Sequence, residues 1–152
     1  MKDHPKIIAP PPLIYLSGWM IGWLLERVVP LPTLPEGLRY LLGLPPIAIA
    51  AFFIFSAFRA MREAQTAVNP YQPTTAIVTS GPYRFTRNPL YLSLTLLYLG
   101  ISFLWRISGP ILLLPLVLLI IRWGVINREE TYLENKFGEE YLRYKAGVRR
   151  WF

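Results

Sequence analysis

Two clusters in this chain combine residue types and spacings that can do chemistry. The first is Gly81-Pro82-Tyr83-Arg84-Phe85-Thr86-Arg87-Asn88-Pro89-Leu90-Tyr91, which ends where an apolar run begins. Pro89 disfavours helix at the residue before it and is well suited to the first helical position. Asn88 is therefore expected as an N-cap, with the backbone donors of a helix start behind it. Such a start attracts a carboxylate, and Arg87 can hold one through two parallel hydrogen bonds. Tyr83 and Tyr91 add aromatic faces that suit a cation such as a sulfonium or ammonium. The same residue types also collect at a membrane interface for purely physical reasons, and that alternative stays open at this point.

The second cluster is Arg128-Glu129-Glu130, followed by Phe137-Gly138-Glu139-Glu140-Tyr141-Leu142-Arg143-Tyr144-Lys145. Ile126, Glu130, Leu133 and Phe137 recur at helical spacing and form one stripe. Glu130 is thus expected to point inward, where a carboxylate needs a partner, and Arg122 and Arg87 are the reachable candidates. Glu129 and Arg122 lie seven residues apart on a neighbouring stripe and are expected to face the same place. Glu139, Glu140, Arg143 and Lys145 read as solvated helix surface.

Composition narrows the chemistry further. With no cysteine and one histidine, His4, the chain has no thiolate nucleophile, no disulfide framework and no histidine-rich metal site. Of its 152 residues 53% are hydrophobic and 16% charged, well short of the charge of a typical soluble domain. In so apolar a chain, a formal charge of +7 points to basic loops at an anionic membrane surface rather than to nucleic acid.

Positioning these residues takes helices. Four apolar stretches approach the length that spans a bilayer: residues 13–29, 40–58, 90–105 and 111–126. The third and fourth are separated only by Arg106 to Pro110, a tight helical hairpin. The expected fold is all-α: a single domain over residues 1–152, an integral membrane four-helix bundle with this hairpin and a cytosolic C-terminal helix over 127–146. The connection 60–89 is long for a bundle and therefore expected to be functional, with Thr74 to Thr79 extended. The first stretch is read as a retained helix, because Pro30, Leu31 and Pro32 follow it rather than a small-residue cleavage site. Basic residues concentrate in the N-terminal region (Lys2, Lys6), the connection (Arg59, Arg62, Arg84, Arg87) and the tail from Asn127, against Arg27, Arg39 and Arg106 near the opposite loops. The positive-inside rule then puts both termini and the site on the cytoplasmic side of a multi-pass protein. Gly18 and Gly22 form a small-residue pair that serves either dimerisation or close packing within the chain, so the sequence leaves the oligomeric state open.

Taken together and in order, the two clusters resemble the isoprenylcysteine carboxyl methyltransferase family, with phospholipid N-methyltransferases among its relatives. The likeness runs from about Thr74 to Arg150, and Pro10-Pro11-Pro12-Leu13-Ile14-Tyr15 resembles the opening of small prokaryotic members. The resemblance implies a membrane enzyme that uses S-adenosylmethionine, with cofactor contacts from Val78, Gly81, Tyr83, Arg87, Asn88, Pro89, Tyr91, Glu129 and Glu130. Arg122 and Glu130 are the expected catalytic residues, Arg122 by orienting an anionic acceptor; no metal is expected. Isoprenylcysteine enzymes typically carry Arg-His-Pro where this chain has Arg87-Asn88-Pro89, and Asn cannot titrate. The expected acceptor is lipophilic and isoprenylcysteine carboxylate-like, methylated on oxygen. The alternatives are a phospholipid amine, a small thiol, and a non-enzymatic membrane scaffold or binding protein.

Overall fold

Proline marks where the chain commits to helix. The computed structural model describes residues 4–29, 31–33, 35–69 and 72–151; Lys2 and Pro30 lie outside the described residues. Helix α1 (Pro11–Val28) opens on Pro11 and Pro12, and α3 (Pro89–Trp105) opens on Pro89, positions where a missing N–H costs nothing. Helix α2 (Arg39–Glu63) follows a 3₁₀ turn at Glu36–Leu38 and runs through Pro45 and Pro46. Helix α4 (Ser108–Ile121) passes through a π-helical turn at Arg122–Ile126 into α5 (Asn127–Phe137). Gly138, at φ +52°, then breaks the expected continuous tail helix, and α6 (Glu139–Gly147) sets off in a new direction.

Among the described residues the fold is all-helical, with no strand. The β-branched run Thr74 to Thr79 forms no ladder with any other described segment, so its propensity is not realised as a strand. Other groups take up its polar atoms instead: the Thr75 N–H donates to Thr66 Oγ1 at 3.1 Å, and Thr75 Oγ1 donates to the Gln65 carbonyl at 2.8 Å. The four apolar stretches correspond to α1, α2, α3 and α4 with its π turn. Two helical stretches, Glu36–Glu63 and Ser108–Phe137, are long and apolar enough to cross a membrane, and Pro89–Trp105 is apolar but shorter.

The helices pair as α1 on α4 and α2 on α3. The α3–α4 connection is tighter than the sequence implied: Arg106 takes the left-handed conformation at φ +58°, and α4 begins at Ser108. Polar side chains between the apolar faces are matched to each other. Tyr15 Oη and Thr95 Oγ1 lie 2.8 Å apart, Trp19 Nε1 donates to Ser102 Oγ at 3.0 Å, and Tyr98 Oη donates to the Pro110 carbonyl at 2.7 Å.

Gly18 and Gly22 face inward and seat α4, which gives them a packing role within the chain. A Cβ on Gly22 would fall 2.5 Å from both the N and the Cα of Pro110, backbone that cannot swing away. Gly22→Ala is therefore expected to destabilise the protein by about 1–3 kcal/mol, the usual range for overpacking. Thermal unfolding in detergent should show it melting well below Gly147→Ala, whose added methyl meets nothing within 4 Å.

Candidate functional site

The first turn of α3, the connection before it, the end of α2, the start of α1 and the helices α5 and α6 enclose a cavity of about 350 Å³. That volume falls in the usual range for small-molecule sites. Its apolar lining comes chiefly from α2 (Ile54, Phe58, Met61), the connection (Ile77, Val78) and α3 (Leu90, Leu94). Its polar lining includes Arg87, Asn88, Glu129 and Glu130, joined by Tyr83, Tyr91, Tyr141 and Tyr144.

Of the residues expected at the site, Val78, Tyr83, Arg87, Asn88, Pro89, Tyr91, Glu129 and Glu130 line this one cavity, although up to 52 positions separate them in sequence. Gly81 does not. It holds φ +57° in the 3₁₀ turn Gly81–Arg84, and a Cβ there would sit 3.4 Å from that of Ala60. Its contribution is the turn that seats the connection against α2.

Arg122 also lies outside the cavity and is exposed. The expectation that it shares a face with Glu129 assumed an unbroken α-helix. The π turn at Arg122–Ile126 inserts extra residue length into that helix and rotates α5 relative to α4. Glu130 keeps its inward stripe because Ile126, fully buried, lies at the end of the turn and the chain from there to Glu130 is α-helical. The cations that pair with Glu130 are Arg87, Lys145 and Arg150, and Arg122 is not among the residues that line the cavity.

Glu130 is 5% exposed and sits among cations. Arg150 grips it with two hydrogen bonds, Nη2 to Oε2 at 2.7 Å and Nε to Oε1 at 3.0 Å. Arg87 Nη2 lies 3.4 Å from its Oε1, and Lys145 Nζ 3.7 Å from its Oε2. Lys145 also pairs with Glu134. The Arg150 and Lys145 contacts were not foreseen in the sequence. Gly138 was the available signal, since a break there lets the basic tail fold back over α5.

Arg87 presents the least satisfied group of the site. Its side chain is 10% exposed, and only Nη2 is engaged by Glu130. Its Nε and Nη1 are buried and have no hydrogen-bond partner among the described residues. A buried guanidinium with two open donors costs free energy unless something accepts from it. Glu129 poses the complementary case. It accepts a 2.6 Å hydrogen bond from Tyr91 Oη and has no ion-pair partner among the described residues.

Asn88 stands at the N-cap position of α3, but its side chain makes no cap bond. Its Nδ2 instead donates to the Arg150 carbonyl at 2.9 Å, which Thr86 Oγ1 also reaches at 3.1 Å. Tyr144 Oη donates to the Tyr83 carbonyl at 2.8 Å. Burial pushes the Tyr144 hydroxyl up to about 12 and the Tyr83 hydroxyl higher still, so both remain neutral donors.

The sequence profile of a family described as phospholipid methyltransferase matches residues 38–140. That span holds every cavity-lining residue except Pro5, Pro11, Pro12, Tyr141 and Tyr144. An uncharacterized protein of Haemophilus influenzae is 50% identical over 68 residues, covering 41% of this chain and 98% of that protein. No solved structure matches.

Proposed function

From the membership of this chain in the phospholipid methyltransferase family, within the isoprenylcysteine carboxyl methyltransferase and phospholipid methyltransferase superfamily, we propose that it is a membrane methyltransferase that uses S-adenosylmethionine and methylates a lipophilic acceptor. The observation that carries this reading is the buried, half-engaged guanidinium of Arg87.

The residues present fit the cofactor. Its amino-acid end is a carboxylate beside an ammonium, and the cavity offers one open seat for each charge. Arg87 Nε and Nη1 would take the carboxylate in a charge-assisted pair. Glu129, which has no ion-pair partner among the described residues, would draw the ammonium or the sulfonium. Tyr83 and Tyr91 line the same space with aromatic faces. When bound, S-adenosylmethionine supplies a methyl carbon already activated by its sulfonium.

What remains for the protein is to hold donor and acceptor in line and to exclude water. The Arg150 grip keeps Glu130 beside Arg87, so that Arg87 is aimed before any ligand arrives. Asn88, with its amide committed to the Arg150 carbonyl, holds the start of α3 in place. Ile54, Phe58, Met61 and Leu94 give the cavity an apolar lining suited to the hydrocarbon part of an acceptor.

A bilayer location has separate support. Large apolar side chains face outward along α1 (Leu16, Ile21), α2 (Phe52, Phe55) and α4 (Leu112, Leu116), each at least half exposed. A contiguous apolar surface of that extent needs lipid or a partner to cover it. The excess of Lys and Arg in the connection and tail supports a cytoplasmic site, so an accessibility tag at Gln65 should report the cytoplasm.

The proposed activity is tested by incubating the detergent-solubilised protein with methyl-labelled S-adenosylmethionine and vesicles carrying ethanolamine lipids or prenylcysteines. Label in the lipid extract is the expected result, and the vesicle that takes it identifies the acceptor. A thiol arm, with label in a small water-soluble product, tests the remaining alternative.

A further inference from the structure

The geometry points to Arg150 as a positioning residue that clamps the site from beyond the residues that the family profile matches. Residues 38–140 match the family profile, and Arg150 lies ten positions beyond that match. Yet more bonds to the start of α3 and to Glu130 come from Arg150 and its neighbour than from any other short segment described.

Three sets of contacts make the clamp. The Arg150 side chain grips both oxygens of Glu130 at 2.7 and 3.0 Å. Its carbonyl accepts from Asn88 Nδ2 and Thr86 Oγ1, and the carbonyl of Arg149 accepts the Arg87 N–H at 3.0 Å. Trp151 packs against the buried cluster around Ile121, Val125 and Ile126, anchoring the far side. The segment 148–151 thus bridges α5 to the residues on either side of Arg87.

The consequence concerns Arg87. A guanidinium so deeply buried would, left alone, pair with both oxygens of Glu130 through two parallel hydrogen bonds. The Arg150 grip occupies the two Glu130 oxygens in a fork, and Arg87 reaches only one of them, through Nη2 at 3.4 Å. That leaves Nε and Nη1 without a partner among the described residues and available to an anionic ligand group. Arg150 is absent from the cavity lining, and its contacts to the site run through Glu130, Asn88 and Thr86. This inference rests on the reading of Arg87 as the seat of an anionic ligand group.

The test uses the absence of cysteine in the chain. In a Gly147→Cys background, where the added side chain meets nothing within 4 Å, a fluorescent label reports the mobility of the segment by anisotropy. Arg150→Ala and Arg150→Lys are compared by label mobility, by S-adenosylhomocysteine affinity and by the separate KM values for cofactor and acceptor. Arg150→Ala is expected to free the label and weaken S-adenosylhomocysteine about tenfold, the lower end of what a lost charged hydrogen bond does. The KM for S-adenosylmethionine should rise while that for the acceptor stays put, a split that general loss of structure would not give. Arg150→Lys keeps the charge without the fork and should fall between wild type and Ala, which preserves the test if the Ala variant does not fold.

A freed label with unchanged affinity would overturn the proposal, and so would an unchanged label. If the unsubstituted protein fails to bind S-adenosylhomocysteine, the functional reading falls. The clamp itself is then still judged by whether the label is freed.

Discussion

Arg87→Ala is expected to weaken S-adenosylhomocysteine binding by about ten- to hundredfold, because a hydrogen bond to a charged group contributes ~1.5–3 kcal/mol. The guanidinium is buried beside the cavity, engages Glu130 through Nη2 alone, and leaves Nε and Nη1 without a hydrogen-bond partner among the described residues. Its removal takes away the anion seat while Glu130 keeps Arg150 and Lys145, so the loss of affinity should exceed the loss of stability. Arg122→Ala is the matched control. Arg122 is exposed and lies off the cavity, and its truncation should leave affinity within about twofold of wild type, as surface changes usually do. Titration calorimetry of both variants at equal amounts of folded protein makes the comparison. Equal, small effects would return the Arg-Tyr cluster to the role of a membrane-interface belt.

Glu130→Gln is expected to act mainly on stability. Glu130 carries the only carboxylate within ion-pair reach of Arg87 and Arg150 among the described residues, and it also reaches Lys145. An amide in its place fills the same volume but leaves these cations facing one another without a counter-charge. Breaking a buried pair on one side typically costs about 3–5 kcal/mol, much of it from the charge left behind. Some relief comes from Lys145, which is partly exposed and keeps Glu134. Glu140→Gln changes an exposed residue and should melt within about 0.5 kcal/mol of wild type. Thermal unfolding in detergent reads both. If Glu130→Gln is as stable as Glu140→Gln, the three cations do not depend on this carboxylate and the electrostatic account of the site is wrong.

The parts of this molecule that were legible in the sequence are those governed by local rules. Apolar runs of helical length gave α1 to α4, Pro89 fixed the start of α3, and the spacing of Ile126, Glu130 and Leu133 turned Glu130 inward. The same local logic brought Tyr83, Arg87, Tyr91 and Glu129 to one cavity, because a helix start and a helix stripe each aim their residues predictably.

The features that stayed hidden depended on departures from those rules. The π turn at Arg122–Ile126 departs from the regular helical spacing on which the shared face of Arg122 and Glu129 depends, and a hydrophobic pattern does not reveal it. Thr74 to Thr79 has the residue types of extended chain and is not helical, and no strand pairs with it among the described residues. The grip of Arg150 on Glu130 spans 20 positions and depends on the break at Gly138, whose direction a local pattern does not specify. Gly18 and Gly22 showed the need for close approach but not the partner, which is α4 of the same chain.

The central claim is that the Arg87–Glu129 cavity holds the amino-acid end of S-adenosylmethionine. Calorimetric titration of the detergent-solubilised wild-type protein with S-adenosylhomocysteine, repeated on Arg87→Ala, tests it most directly. Saturable binding at one site per chain is expected, weakened at least about tenfold by the substitution. Wild-type titrations that show no saturable heat, or binding that Arg87→Ala leaves unchanged, would contradict it.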